Sequence, residues 1–252
     1  MAYVSTMNRI SPTTAHVLPL VVFLAFLAIP GWFRVENPEL PWHQRAPEHW
    51  VYPLQTLICG ALLLSFRHHY SLAPWRGLGL AALLSGVGIL CWVMPAWLFE
   101  QFSAGMASPT PDWWSWLGLV ERRQGFDPTL LAAWPFWEKS AIAMRFLRMV
   151  VVVPWVEELF WRGFLMRYLN AGDGSWQNVP FGTHSWRSFF TVTLCVVIAH
   201  QPEDHLAAAV WGALVYGLAV RTRSLGACIF MHALGNLWLG CYALGTRQWG
   251  FW

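Results

Sequence analysis

The chain has 252 residues, of which 56% are hydrophobic and only 12% charged, with a formal net charge of +3 and a mean hydropathy of +0.41. A soluble domain carries about 25% charged residues, so these values argue against a water-soluble globule and make a bilayer the expected main solvent. The small net charge gives no electrostatic footprint for nucleic acid, and the length fits one compact helical bundle rather than two domains.

Residues 17–33 are apolar and uncharged, with Arg9 before them and no clear small-residue cleavage site after them. A retained first span is expected there rather than a signal peptide. Residues 51–66 form a second, short span. Residues 77–99 form a third, with 23 uncharged residues, above the roughly 20 that a helix needs to cross the hydrocarbon core. Within it, Ser85-Gly86-Val87-Gly88 offers small side chains for close helix contact. Residues 100–138 break the pattern. They are rich in Pro and Trp with scattered charge, and read as an interfacial loop with short helices lying along the membrane. The chain's 19 tryptophans suit that water–lipid boundary, where an apolar ring and a polar N–H are both accommodated.

Residues 139–169 are apolar in bulk yet hold Arg145, Arg148, Glu157, Glu158 and Arg162, and predict a long tilted or bent helix. A Gly-rich polar loop follows over 170–187, then a short span over 188–200 and a polar turn, Gln201-Pro202-Glu203-Asp204. A further span over 206–220 is stopped by Arg221 and Arg223, and the last covers 224–246. The expected fold is therefore all-α, a polytopic transmembrane bundle of about seven to eight spans. Residues 1–138 supply the N-terminal spans and the interfacial loop. Residues 139–252 supply the chemistry-bearing core of one integrated membrane domain.

With seven alternating spans, the loops carrying Arg67 and Arg76, Arg167 and Arg187, and Arg221 and Arg223 share one side. The excess of arginine in cytoplasmic loops places that side, and the amino terminus, inside. The acid-bearing 100–138 and 201–204 loops then face outward. Cys59, Cys91, Cys195, Cys228 and Cys241 all lie in apolar runs without a CxxC pair. They predict neither a disulfide framework nor a structural zinc site, and read as small buried hydrophobes.

Pro154-Trp155-Val156-Glu157-Glu158-Leu159-Phe160-Trp161-Arg162-Gly163 carries the strongest chemical signal. Ionisable residues at membrane depth are costly and usually mark a function or a pairing. Glu158 and Arg162 share a helical face and can form an ion pair. Glu157 points about 100° away, free to face a cavity and act as a general base. A purely structural charge cluster remains the competing reading of this segment alone. In the last span, His232 and Asn236 also share a face, and can either stabilise an oxyanion or bridge helices. His200, at the end of a Val-rich span, is by itself more often interfacial, and His205 across the turn is similar. Together, two glutamates, two histidines and an asparagine on three apolar segments form a set able to activate water and hold a tetrahedral oxyanion.

Other hydrolase signatures are missing. There is no HExxH helix, no GxSxG elbow at Ser85, no glycine-rich phosphate loop, and Asp173 in Ala171-Gly172-Asp173-Gly174 sits in a polar loop.

These motifs resemble the CAAX-protease and bacteriocin-processing (CPBP) family, which includes the type II CAAX prenyl endopeptidases. Its EExxxR motif matches Glu157, Glu158 and Arg162. Its FxxxH motif matches at His200, with Val196 in place of the usual aromatic, and its HxxxN motif matches His232 and Asn236. The likeness covers roughly residues 144–244, including Arg221-Thr222-Arg223-Ser224-Leu225-Gly226. It implies an eight-helix or similar bundle with a cavity open to one membrane side. In it, Glu157 and His200 would activate water, His232 and Asn236 would stabilise the oxyanion, and Glu158 with Arg162 would hold the helix and tune Glu157. No cofactor is required by this scheme; if zinc is used, its ligands would be Glu157, His200 and His232.

The implied function is an intramembrane endopeptidase cutting a membrane-associated protein or peptide, in the inner membrane of a prokaryote. The chain also resembles CAAX-protease-related proteins that accompany exosortase sorting systems, around residues 155–169. The competing reading is a non-catalytic binding or immunity protein using the same polar cavity. A proton-coupled transporter would predict an inverted internal repeat, and EExxxR has no counterpart in the first half.

Overall fold

The computed structural model describes residues 10–37, 39–103, 111–172 and 175–252. Arg9, Asp173 and Gly174 lie outside the described residues. Among the described residues the fold is all-α, without a strand. Seven long helices follow the order of the expected spans: α1 (Pro12–Phe33), α2 (Glu48–Ser65), α3 (Leu78–Phe102), a composite α4 over 135–168, α5 (Trp186–Ile198), α6 (His205–Thr222) and α7 (Leu225–Thr246). Helices Pro12–Phe33, Leu78–Phe102, Pro202–Thr222 and Leu225–Thr246, the third counted with its leading helical turn, are long and apolar enough to cross a bilayer. The chain is an integral membrane protein.

Local chemistry sets the helix ends. Ser11 caps α1, its Oγ accepting from the Thr14 amide at 3.0 Å, with Pro12 preset for the first helical turn. Ser185 and Ser188 form a reciprocal capping box on α5. Ser224 caps α7 through the Ala227 amide at 3.0 Å. Between α6 and α7, Arg223 takes a left-handed conformation (φ 51°), which lets one helix turn straight into the next. The 100–138 segment contains the short helices Trp113–Trp116 and Pro128–Leu131, and its last residues already belong to α4, which opens at Pro135.

α4 is not a regular helix. Pro135–Phe146 is α-helical, Leu147–Val152 is π-helical, Val153–Glu158 returns to α, Leu159–Leu165 is π-helical again, and Met166–Tyr168 closes it. Pro154 gives the first widening a cause. A proline has no N–H to donate, and its ring collides with the carbonyl four residues back. Loosening the preceding turn relieves both problems, and such π-bulges cluster at functional sites.

α7 packs against α3, α4 and α6, so it runs through the middle of the bundle. The Trp211 ring of α6 is wedged beside two glycines. A Cβ on Gly88 would stand 2.6 Å from that ring, and one on Gly235 would stand 2.5 Å from it. The three arginine loops meet at one end of the bundle. There Arg76 Nε donates to the Thr222 carbonyl at 2.6 Å, Arg187 donates to the Leu169 carbonyl, and the Gly226 amide donates to Leu72 at 3.2 Å. At the other end Arg122 pairs with Asp204 at 2.6 Å, Gln248 donates to Glu100 at 2.9 Å, and the Gly250 amide donates to the Arg122 carbonyl at 2.7 Å. All five cysteines are unpaired; Cys59 and Cys228 are buried, whereas Cys241 is exposed on the outer face of α7. The expectation of five buried thiols is corrected at that position, since an apolar helix in a bilayer can be apolar all round and still face outward.

Candidate active site

Glu158 is completely buried and its Oε1 accepts twice, from Arg162 Nη1 at 3.2 Å and from His232 Nδ1 at 2.8 Å. Arg162, 1% exposed, also donates from Nη2 to the Gly212 carbonyl of α6 at 3.2 Å. One carboxylate thus ties α4, α6 and α7 together. It also orients an imidazole: with Nδ1–H directed at the carboxylate, His232 turns Nε2 away from it, as a carboxylate orients a catalytic histidine.

Glu157, about 100° around the helix, makes no hydrogen bond or ion pair with any described residue. It lines a cavity of about 280 Å³. His200, His232 and Asn236 line the same cavity, so the structure brings these four residues together. His200 lies just past the end of α5, where its Nδ1 donates to the Val196 carbonyl at 2.7 Å. That bond fixes the tautomer and leaves the Nε2 lone pair free. The edge of the Trp92 ring, 5.5 Å away between centroids, steadies the imidazole. The substitution of Val196 for an aromatic leaves this hydrogen bond intact, because it comes from the backbone; the Val196 side chain itself packs beside Gly212.

Asn236 donates from Nδ2 to the Met149 carbonyl at 2.6 Å. Met149 sits in the first π-helical stretch, where the wider backbone turn offers its carbonyl to a neighbouring helix. One amide hydrogen of Asn236 therefore bridges helices, and the other remains for a ligand. His205 donates from Nε2 to the His200 carbonyl at 3.3 Å and supports the turn rather than the cavity.

The sequence reading did not assign a role to Arg148 or Gln55. Arg148, 7% exposed, lines the cavity. Its Nε donates to Gln55 Oε1 at 2.7 Å, while Gln55 Nε2 donates to the Phe23 carbonyl at 2.6 Å. The guanidinium also lies over Tyr52 at 4.4 Å and Phe23 at 4.9 Å. The available signal was a cation inside an apolar run. Its anchor, far away on α2, was not visible as a partner.

A zinc ion held by Glu157, His200 and His232 does not fit this arrangement. Among the described residues no three His, Cys, Asp or Glu side chains stand close enough together to hold a metal ion, and the Nδ1 of His232 is committed to Glu158.

Residues 139–238 match the family described as type II CAAX prenyl endopeptidase Rce1-like. This segment is CAAX-protease-like. The family is one of peptide-bond hydrolases, and its proteases act on membrane-associated peptide substrates within the bilayer. The CAAX-protease-like segment contains α4 from Lys139 on, α5, α6 and α7 as far as Trp238, and so every one of the four cavity residues. No curated protein and no solved structure matches the chain.

Proposed function

We propose that the chain is an intramembrane endopeptidase that hydrolyses a peptide bond of a membrane-associated protein or peptide with water activated by Glu157 and His200. The observation that carries this reading is the opening of Glu157, His200, His232 and Asn236 into one cavity inside an apolar bundle. Glu157 has no competing partner, and His200 presents a free Nε2 lone pair, so both can accept the proton of an attacking water. Asn236 keeps one amide hydrogen for the carbonyl oxygen. His232, held by Glu158, stands ready to shuttle the proton to the leaving amine when Nε2 is protonated. Glu158 and Arg162 hold the frame. No zinc-dependent step is part of the proposal. It extends to the inner membrane of a prokaryote as the setting, with exosortase-type protein sorting as a source of substrates.

Glu157→Gln tests it. Purified and reconstituted, this variant should lose cleavage of quenched-fluorescent membrane peptides by at least about 10²-fold, the scale of general acid–base catalysis, while its melting temperature stays unchanged. Cleavage at the wild-type rate would remove Glu157 from the chemistry. A variant that cleaves nothing yet retains binding or protection would leave the immunity reading standing, provided the wild type also cleaves nothing.

A further inference from the structure

Two opposite charges line the cavity without touching. The Arg148 guanidinium and the Glu157 carboxylate interact electrostatically, but no ion pair joins them. In a low-dielectric interior such a pair should collapse into contact unless something holds it apart. Here Gln55 grips Nε at 2.7 Å and the Tyr52 and Phe23 rings seat the guanidinium face. Both Nη groups are left without a hydrogen-bond partner among the described residues, in a side chain that opens on the cavity.

We propose that Arg148 is a catalytic residue of this site, whose Nη edge binds the oxygen of the scissile carbonyl and stabilises the oxyanion formed there. The inference rests on the hydrolase reading given above. Among the cavity-lining donors, His232 has Nδ1 committed to Glu158 and Asn236 spends one amide hydrogen on Met149. Arg148 is the permanent cation of the set, and it is held rigid before substrate arrives. Preorganised donors of this kind give the largest gain where charge develops. The gap between Glu157 and Arg148 suits the reaction. Water sits on the carboxylate side; its oxygen bonds to the carbonyl carbon and its proton passes to Glu157. The carbonyl π pair moves onto oxygen, facing Arg148. When the tetrahedral species collapses, that pair re-forms the carbonyl, the C–N bond breaks, and the proton goes to the leaving amine.

The test compares two ligands on the same purified protein: a phosphinic hexapeptide, which is tetrahedral and anionic, and its neutral ketomethylene counterpart. Binding is read from the fluorescence of cavity tryptophans such as Trp92 and Trp211. Arg148→Gln should lose about 10²–10³-fold in phosphinate affinity and in kcat, with ketomethylene affinity and KM changed by less than about threefold, because those report ground-state binding. Guanidinium ion added to Arg148→Ala should restore part of the lost turnover. A bundle merely loosened by the substitution would lose both ligands alike, so an equal loss, or no loss, overturns the proposal. So does a wild type that prefers the ketomethylene. Glu157→Gln separates the two readings. If it cleaves as wild type, the water-activating scheme fails, while the ligand ratio still decides on Arg148.

Discussion

At the scale of single residues, the adjacent carboxylates do opposite work, and substitution should expose the difference. Glu158 is buried against two cationic or cation-capable partners, Arg162 and His232. Removing one member of a buried pair leaves an uncompensated charge and costs about 3–5 kcal/mol. Glu158→Gln should therefore depress the melting temperature sharply in differential scanning calorimetry, whereas Glu157→Gln should not. The sequence made part of this legible. EExxxR spacing alone separates a shared face for Glu158 and Arg162 from the face of Glu157. It did not reveal that His232, 74 positions later, completes the Glu158 cluster, nor that Gln55 anchors Arg148 across 93 positions. Pairings between distant segments depend on how helices are placed, and a neutral glutamine in an apolar helix gives no hint of its partner.

At the scale of elements, hydropathy located the helices well, since each apolar run in the chain became one. It carried no information on backbone register, and so the π-helical stretches of α4 were read only as a bend. Their effect on the site is large. Deleting one residue from Leu147–Val152, for example Val151, would turn every later residue by about 100° relative to the upstream helix. Glu157 would leave the cavity, and cleavage should fall to background even in protein that remains helical by circular dichroism. The packing of α3, α6 and α7 is as tight as the α4 ladder is loose. Gly235→Ala puts a methyl group where the Trp211 ring already lies. Such overpacking costs typically about 1–3 kcal/mol, so the variant should melt earlier and, because Trp211 also lines the cavity, bind the phosphinic peptide more weakly.

At the scale of the whole molecule, the metal question has a direct check. The donor set does not gather three ligands, so a strong chelator should leave cleavage unchanged and added zinc should not raise it; loss of activity on chelation, restored by zinc, would show that the helices close around an ion. Charge is also distributed unevenly between the ends of the bundle. The loops with Arg67, Arg76, Arg187, Arg221 and Arg223 meet at one end, while the cavity is lined by His200, Gln201, Asp204, Gly250 and Trp252 at the other. If the arginine end sits in the cytoplasm, as the loop-arginine rule directs, the mouth of the cavity opens away from it. In a background without native cysteines, Gln201→Cys should react with a membrane-impermeant maleimide in intact cells, and Arg221→Cys only after lysis; the reverse pattern would invert the orientation. A scissors mounted this way round would cut only what has already been exported, and the bilayer would keep every newly made protein on the ribosome's side out of its reach.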